Sequence, residues 1–265
     1  MSVSMTSRPP ISVFIIALNE ADRIGAVIDH VIDWVDEVIV IDSGSTDNTC
    51  EIAAQKGARV MFNAWEGFGP QKRFGEAQCR NDWVLNLDAD EVICPALKQE
   101  ILSKFTNDAP YDGYEIQFAD CLPGEKVPGR GAYKLVFVRL YNRTRGSYSE
   151  STVHDTVSFT IPNPKILRFQ TPAWHYSVRS FEHAIFKLNR YSSMQAQDII
   201  QRKRHIRFLP LVLISTFICA FFKAYILRLY IRSGMTGFIN AMIYAFSRFI
   251  RMAKVYELER STKNR

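Results

Sequence analysis

The sequence predicts an α/β fold: a mostly parallel sheet flanked by helices, followed by a basic helical extension. Three observations carry this expectation. Apolar runs suited to buried strands alternate with helix-periodic segments over the first 95 residues. Acidic and amide residues collect where those runs end. The charge divides sharply: residues 1–178 hold 17 Lys+Arg against 23 Asp+Glu, or −6, whereas 179–265 hold 16 against 4, or +12.

The elements follow in order. "ISVFIIAL" (11–18) is continuously apolar, as strands covered on both faces are. Ile24, Val27, Ile28, Val31 and Val35 then recur at helical spacing. "EVIVID" (37–42) is a second strand, and "STDNTCEIAAQKG" is a helix with Asp47 as N-cap candidate and Gly57 at its C-terminus. "ARVMFN" and "WVLNLD" (83–88) complete four strands joined by right-handed crossovers. In such sheets ligands sit beyond the carboxyl ends of the strands. Between 111 and 170, "YEIQFA" and "YKLVFVRLY" extend the sheet into an acceptor wall, and "LPGEKVPGRG" (122–131) is a loop. From about 179 the chain is helical and basic. The uncharged run 208–222 falls short of the ~20 residues of a spanning helix and reads as re-entrant or interfacial, flanked by cations. Arg228 and Arg232 are expected on Lys223's side of that helix. Arg248, Arg251 and Lys254 are expected on a stripe facing away from Ile243, Phe246 and Ile250. The domain expectation is 1–178 catalytic, with a nucleotide half 11–95 and an acceptor half 96–178, then 179–265 membrane-associating.

Composition excludes a disordered or fibrous chain, with 47% hydrophobic and 23% charged residues. The five cysteines are scattered without a CxxC pair, which argues against structural zinc and for a reducing compartment. "MSVSMTSRPP" shows no secretory signal, so the expected compartment is the cytoplasm. The basic tail calls for an anionic partner. Its Leu, Ile and Phe content favours a membrane surface over nucleic acid.

In "VLNLDADEVI" (84–93), Asp88 and Asp90 would sit side by side where a strand runs out, and like charges that close call for a cation between them. A nucleotide-sugar fits the constellation. A divalent metal on Asp90 would bridge the diphosphate, Asp88 would accept from ribose hydroxyls, and Asp42 would accept a base N–H. Lys72 and Arg73 in "GFGPQKRFGEA", after a flexible "GFGP" turn, would meet phosphate or base edge. Neither a P-loop nor a GxGxxG is present.

These stretches carry a resemblance. "SVFIIALNE", "VIDSGSTDNT" and "LNLDADE" resemble the successive motifs of family 2 glycosyltransferases of the GT-A fold, the last being its DXD motif. "GFGPQKRFGEAQC", "RLYNR", "TVHDTV" and "WHYSVRSFEHAIFKLNRYSSMQA" resemble a narrower branch, the lipopolysaccharide core heptose β-1,4-glucosyltransferases. The resemblance implies an inverting hexosyltransferase, using UDP-glucose on a lipid-linked inner-core oligosaccharide at the cytoplasmic face of the inner membrane. It implies Mg²⁺ or Mn²⁺ on Asp90, and Asn19 and Glu20 lining the nucleotide pocket with Asp42, Lys72 and Asp88. Asp155 in "VHDTV" would be the general base, a departure from the Glu expected in relatives, with Glu150 as the alternative. His154 would orient the base or contact the acceptor. His175 would be a metal or diphosphate ligand, or else a hydrogen-bonded residue of an aromatic cluster. Two rival readings are a polyprenyl-phosphate glycosyltransferase and a non-catalytic nucleotide-sugar binding protein on the membrane.

Overall fold

The structure is a computed structural model, and the residues described are 8–105, 110–129, 132–151, 155–201 and 209–263. The chain divides into two compact units, one of residues 1–119 and 134–175, the other of residues 120–133 and 176–265.

The first unit is a mixed α/β fold around one nine-stranded sheet. Its strands are β1 (Ile11–Ala17), β2 (Glu37–Asp42), β3 (Arg59–Phe62), β4 (Trp83–Asp88), β5 (Glu91–Val92), β6 (Gly113–Asp120), β7 (Lys134–Asn142), β10 (Ile166–Arg168) and β11 (Ala173–His175). They run in the order β3-β2-β1-β4-β7-β6-β11-β5, with β10 on β6; β8 (Gly146–Tyr148) and β9 (Val157–Phe159) form a separate hairpin. β1 pairs in parallel with β2 and β4, and β2 with β3, whereas β7 is antiparallel to β4 and β6. All of β1 and β2 is buried, the consequence of helices on both faces of a parallel sheet. Phe14, Ile39, Ile41, Val84 and Tyr141 form one packed cluster there.

The four strands and the sheet extension of β6 and β7 lie where the sequence places them. The helices differ more. The pattern from Ile24 to Val35 forms helix only over α1 (Ile24–Asp29). The His30 ring reaches Ala26 O at 2.7 Å and Trp34 Nε1 donates to His30 O at 2.8 Å, so side chains take over the last carbonyls and the chain turns. Val31 and Val35 are nevertheless buried, which is why they kept the period. α2 (Thr49–Gln55) follows Asn48; Asp47 sits one residue further out, its Oδ1 accepting Thr49 N at 3.0 Å, and Gly57 takes φ +87° after the helix. "GFGP" is not a flexible turn. Gly67 precedes α3 (Phe68–Gln78), and Phe68, Gly69 and Pro70 form its first turn, where proline's missing N–H costs nothing. α4 (Pro95–Lys104) packs Leu97 and Ile101 inward.

The second unit is helical: α5 (Phe181–Gln201), α6 (Leu209–Phe222) and α7 (Gly234–Lys263), with α7 packed on both others. Small residues at 0% exposure (Ala196, Ala224, Ala241, Ala245) let the helices close up. α6 continues as a single π-helical turn, Lys223–Leu227, so the run Pro210–Leu227 extends past Lys223. By length and composition alone it is long and apolar enough to cross a membrane, and only 11% of it is buried. The helix does not reach Arg232. Leu229 takes φ +58° and a 3-10 turn over Tyr230–Ser233 leads into α7, so Lys223, Arg228 and Arg232 do not share one helical side.

Candidate active site

The parallel strands deliver their polar residues to one edge of the sheet. At the end of β2 the Asp42 carboxylate closes its own loop: Oδ2 accepts Gly44 N at 2.8 Å and Ser45 N at 2.9 Å, and Ser45 Oγ donates to Oδ1. Asn19, after β1, is stitched to that loop, donating its N–H to Ser45 Oγ at 2.9 Å and accepting Thr46 N at 2.8 Å. Its left-handed φ of +55° is one asparagine tolerates. Glu20 N donates to Thr49 Oγ1 at 2.8 Å and its carboxylate receives Arg23 Nε at 2.8 Å. Asn19, Glu20 and Asp42 therefore form one braced rim.

The second group centres on Lys72, wholly buried on α3. Its Nζ lies 2.9 Å from Asp88 Oδ1 and 2.5 Å from Asp155 Oδ2, and 5.3 Å over the Tyr148 ring. Burial and the Arg139 charge push the ammonium down, but Asp88, Tyr148 and Asp155 outweigh them and its pKa is raised. The approach of the 149–151 segment depends on Gly69. Its N–H donates to Ser151 O at 3.1 Å, and a Cβ there would stand 2.2 Å from Ser149 O. Arg73, one residue along, is on another side of the helix, exposed, 4.0 Å from Glu76 Oε1, and is not brought to this group. Nor is Glu150, which is exposed. His154 lies outside the described residues.

Sequence reasoning assigned no role to Arg139, although it is the hub of the site. Its buried guanidinium reaches Asp88 Oδ2 at 3.1 Å and Glu91 Oε1 at 2.7 Å, bonds Asn86 Oδ1, and lies 5.1 Å from the Phe118 ring centroid. Glu91 in turn accepts Asp88 N at 2.9 Å. Burial disfavours the Asp88 charge, but Lys72 and Arg139 overcome it and hold the carboxyl well below its usual range. Burial pushes Glu91 the other way, up to about 7, with Arg139 opposing. The available signal was one arginine inside the apolar run "KLVFVRLY": a buried arginine requires carboxylate partners.

Asp90 turns the other way, 3.6 Å from Arg23 Nη1 and 3.7 Å from His175 Nε2 on β11, which pairs with β5 so that His175 opposes Glu91. Two donors, a carboxylate oxygen and an imidazole nitrogen, thus face each other; among the described residues no group of three metal-ligating side chains forms. That donor set fits a divalent cation completed by substrate phosphates, the habit of Mg²⁺ sites, and not a closed structural zinc site.

A sheet that gathers paired carboxylates, a buried lysine and an imidazole–carboxylate pair at its strand ends defines a group-transferring enzyme. The Glycosyl transferase family 2 model matches residues 12–170, and the chain belongs to that family. A glycosyltransferase of Rickettsia felis is 40% identical over 96% of this chain and 92% of its own. A lipopolysaccharide core biosynthesis glycosyltransferase of Rhizobium meliloti is 29% identical over 96% of this chain and 94% of its own. A dolichyl-phosphate hexose transferase of Haloferax volcanii is 33% identical over 53% of this chain and 60% of its own. Glucosyl-3-phosphoglycerate synthase from Mycobacterium tuberculosis, solved with Mn²⁺, UDP and glucosyl-3-phosphoglycerate, shares 30% identity over 44% of this chain and 45% of its own, at a TM-score of 0.35. The family assignment rests on the sequence matches. The chain is therefore a glycosyltransferase with the GT-A architecture.

Proposed function

We propose that this chain moves a hexose, glucose from UDP-glucose, onto a hydroxyl of a lipid-linked inner-core oligosaccharide with inversion, at the cytoplasmic face of the inner membrane. In this reading residues 1–178 are the catalytic domain and residues 179–265 the membrane-associating region, a functional division whose bounds differ from those of the two compact units. The observation that carries the reading is the pair of groups flanking one strand end: Asp90 with His175, and Asp88 joined through Lys72 to Asp155.

In this reading Asn19, Glu20 and Asp42 form the rim that takes the nucleotide, and Arg73, outside the site, has no part in it. Asp88, held ionised by Lys72 and Arg139, accepts the ribose hydroxyls. Asp90 and His175 hold Mg²⁺ or Mn²⁺, which when bound neutralises the diphosphate leaving group. Asp155 takes the proton of the acceptor hydroxyl as its oxygen attacks the anomeric carbon and the bond to the diphosphate breaks. His154 is assigned, by its place in the sequence next to Asp155, to orient the base or contact the acceptor. The +12 tail, with exposed Leu211, Ile214, Ile218 and Phe222 on α6, rests on the anionic membrane.

The dolichyl-phosphate relative favours a second reading, in which the acceptor is a polyprenyl phosphate that needs no hydroxyl base. The test is thermal stabilisation by UDP-glucose, GDP-mannose and other donors, with and without Mn²⁺. A metal-dependent shift with UDP-glucose is expected, since ligand at 100 times its Kd adds about 2.7 kcal/mol. A shift with GDP-mannose alone would overturn the donor, and no shift with any donor the transfer reading itself.

A further inference from the structure

The second unit gathers cations around Tyr244. Arg228 lies against two rings, its Cζ 4.0 Å from the Tyr133 centroid and 4.7 Å from that of Tyr244. Arg248 sits 4.9 Å from the same Tyr244 ring and donates Nη2 to its hydroxyl at 3.1 Å. The charge of Lys223 is also felt at Tyr244, and that of Arg248 at Arg251. Arg251 Nη1 reaches Gln195 Oε1 at 3.3 Å, while its buried Nε has no hydrogen-bond partner among the described residues. Within those residues none of the four cations forms an ion pair; the acid acting nearby is Asp120, whose charge bears on Tyr230.

Arg228 and Arg248 share one ring and their like charges repel, offset in part by hydrogen bonds from Arg228 to Tyr230 and from Arg248 to Tyr244. Lys254 shows the contrast. On the same helix it is satisfied by Asn189, Ser192 and Ser193 of α5. A guanidinium stacked on aromatic rings keeps its edge N–H groups for a fork-shaped acceptor, and phosphate oxygens match that fork.

We propose that Arg228 and Arg248, which share the Tyr244 ring, form a binding site for a phosphoryl group. The group comes either from a lipid headgroup or from a soluble phosphate compound. The exposed apolar stripes of the same unit, Ile214 and Ile218 on α6 with Met242 and Phe246 on α7, favour the lipid source. The site does not depend on the donor assignment and would stand if UDP-glucose proved wrong.

The full-length protein is sedimented with vesicles of phosphatidylcholine alone and with 30% phosphatidylglycerol, and its melting is followed in inorganic phosphate. R228Q/R248Q is compared with R232Q/R260Q, which removes the same charge from exposed positions of the same unit. R248Q alone, leaving the Arg228 stack intact, covers the case in which the double variant does not fold. Loss of about tenfold in phosphatidylglycerol-vesicle affinity in R228Q/R248Q and most of that in R248Q, against about twofold in the control, supports a headgroup site. A phosphate-induced melting shift that R248Q removes, without vesicle dependence, supports the site with a soluble source. Equal loss in cluster and control variants, or neither effect in the wild type, overturns it.

Discussion

Lys72 Nζ meets Asp155 Oδ2 at 2.5 Å, joining residues 83 positions apart, and the same nitrogen holds Asp88 Oδ1 at 2.9 Å. One buried ammonium therefore bridges the carboxylate ending β4 and the carboxylate of Asp155. Lys72→Met keeps the volume and removes the charge, leaving Asp88 with Arg139 alone and Asp155 without its cation. Breaking such a buried pair costs about 3–5 kcal/mol. Urea unfolding should show the loss, with kcat falling as Asp155 loses its position; a variant as stable and active as wild type would dismiss the bridge.

Asp155→Asn removes the proposed proton acceptor and one partner of Lys72, while Asp88 still pairs with Lys72, and should lower kcat by about 10²–10⁴ with donor binding kept. Glu150→Gln should leave turnover near wild type. Steady-state transfer to a hydroxyl acceptor reads both. Retained activity in Asp155→Asn would move the chemistry to the phosphate-acceptor reading.

Asp90→Asn should abolish metal-dependent turnover, and His175→Ala should raise the Mn²⁺ concentration needed for half-maximal activity by about 10–100-fold. Titration of Mn²⁺ in the presence of UDP checks both by heat, independently of transfer. An unchanged Mn²⁺ response in either variant would remove that residue from the metal site.

Glu100 carries a pH dependence. Its carboxylate accepts Gln170 N at 2.9 Å and Thr171 N at 2.8 Å, tying α4 to the chain just before β11 and His175. Burial works against its charge, but the Gln170, Lys104 and Thr171 bonds dominate and bring its pKa down to about 2. A depressed pKa stabilises the fold above the unfolded value near 4.5, and that stability is lost as pH falls toward about 2. Glu100→Gln should therefore be less stable than wild type at pH 7, with the gap closing between pH 4.5 and 2. A gap that stays constant across that range would mean the charge is not what holds the strand.

Gly69→Ala places a methyl 2.2 Å from Ser149 O, so the 149–151 segment must move away from α3. Activity should fall much further than donor binding, since Asp155 moves and the rim does not. Melting by circular dichroism alongside UDP titration separates the two, and a fully active Gly69→Ala would show that the close approach is dispensable.

Several parts of this architecture were legible in the residues. β1, β2 and β4 announced themselves because strands buried on both faces must be apolar throughout, and Asn19, Asp42 and Asp88 stood out because polar residues ending such strands share one edge. α3 was not, since Gly67, Gly69 and Pro70 look like turn residues; their use as a helix start, with Gly69 under a crossing backbone, appears only once the 149–151 segment lies on it.

The sequence by itself determined the parallel sheet, the edge where polar groups gather and the basic tail, because strand periodicity and net charge are local or additive properties. The tertiary structure alone decided that Lys72 and Arg139 are buried between Asp88, Glu91 and Asp155, that Arg73 beside Lys72 is left outside, and that His175 faces Asp90. The physical reason is that burial of a charge requires its partners, and those partners come from strands and loops 16 to 85 residues away, brought together by sheet order and not by spacing along the chain.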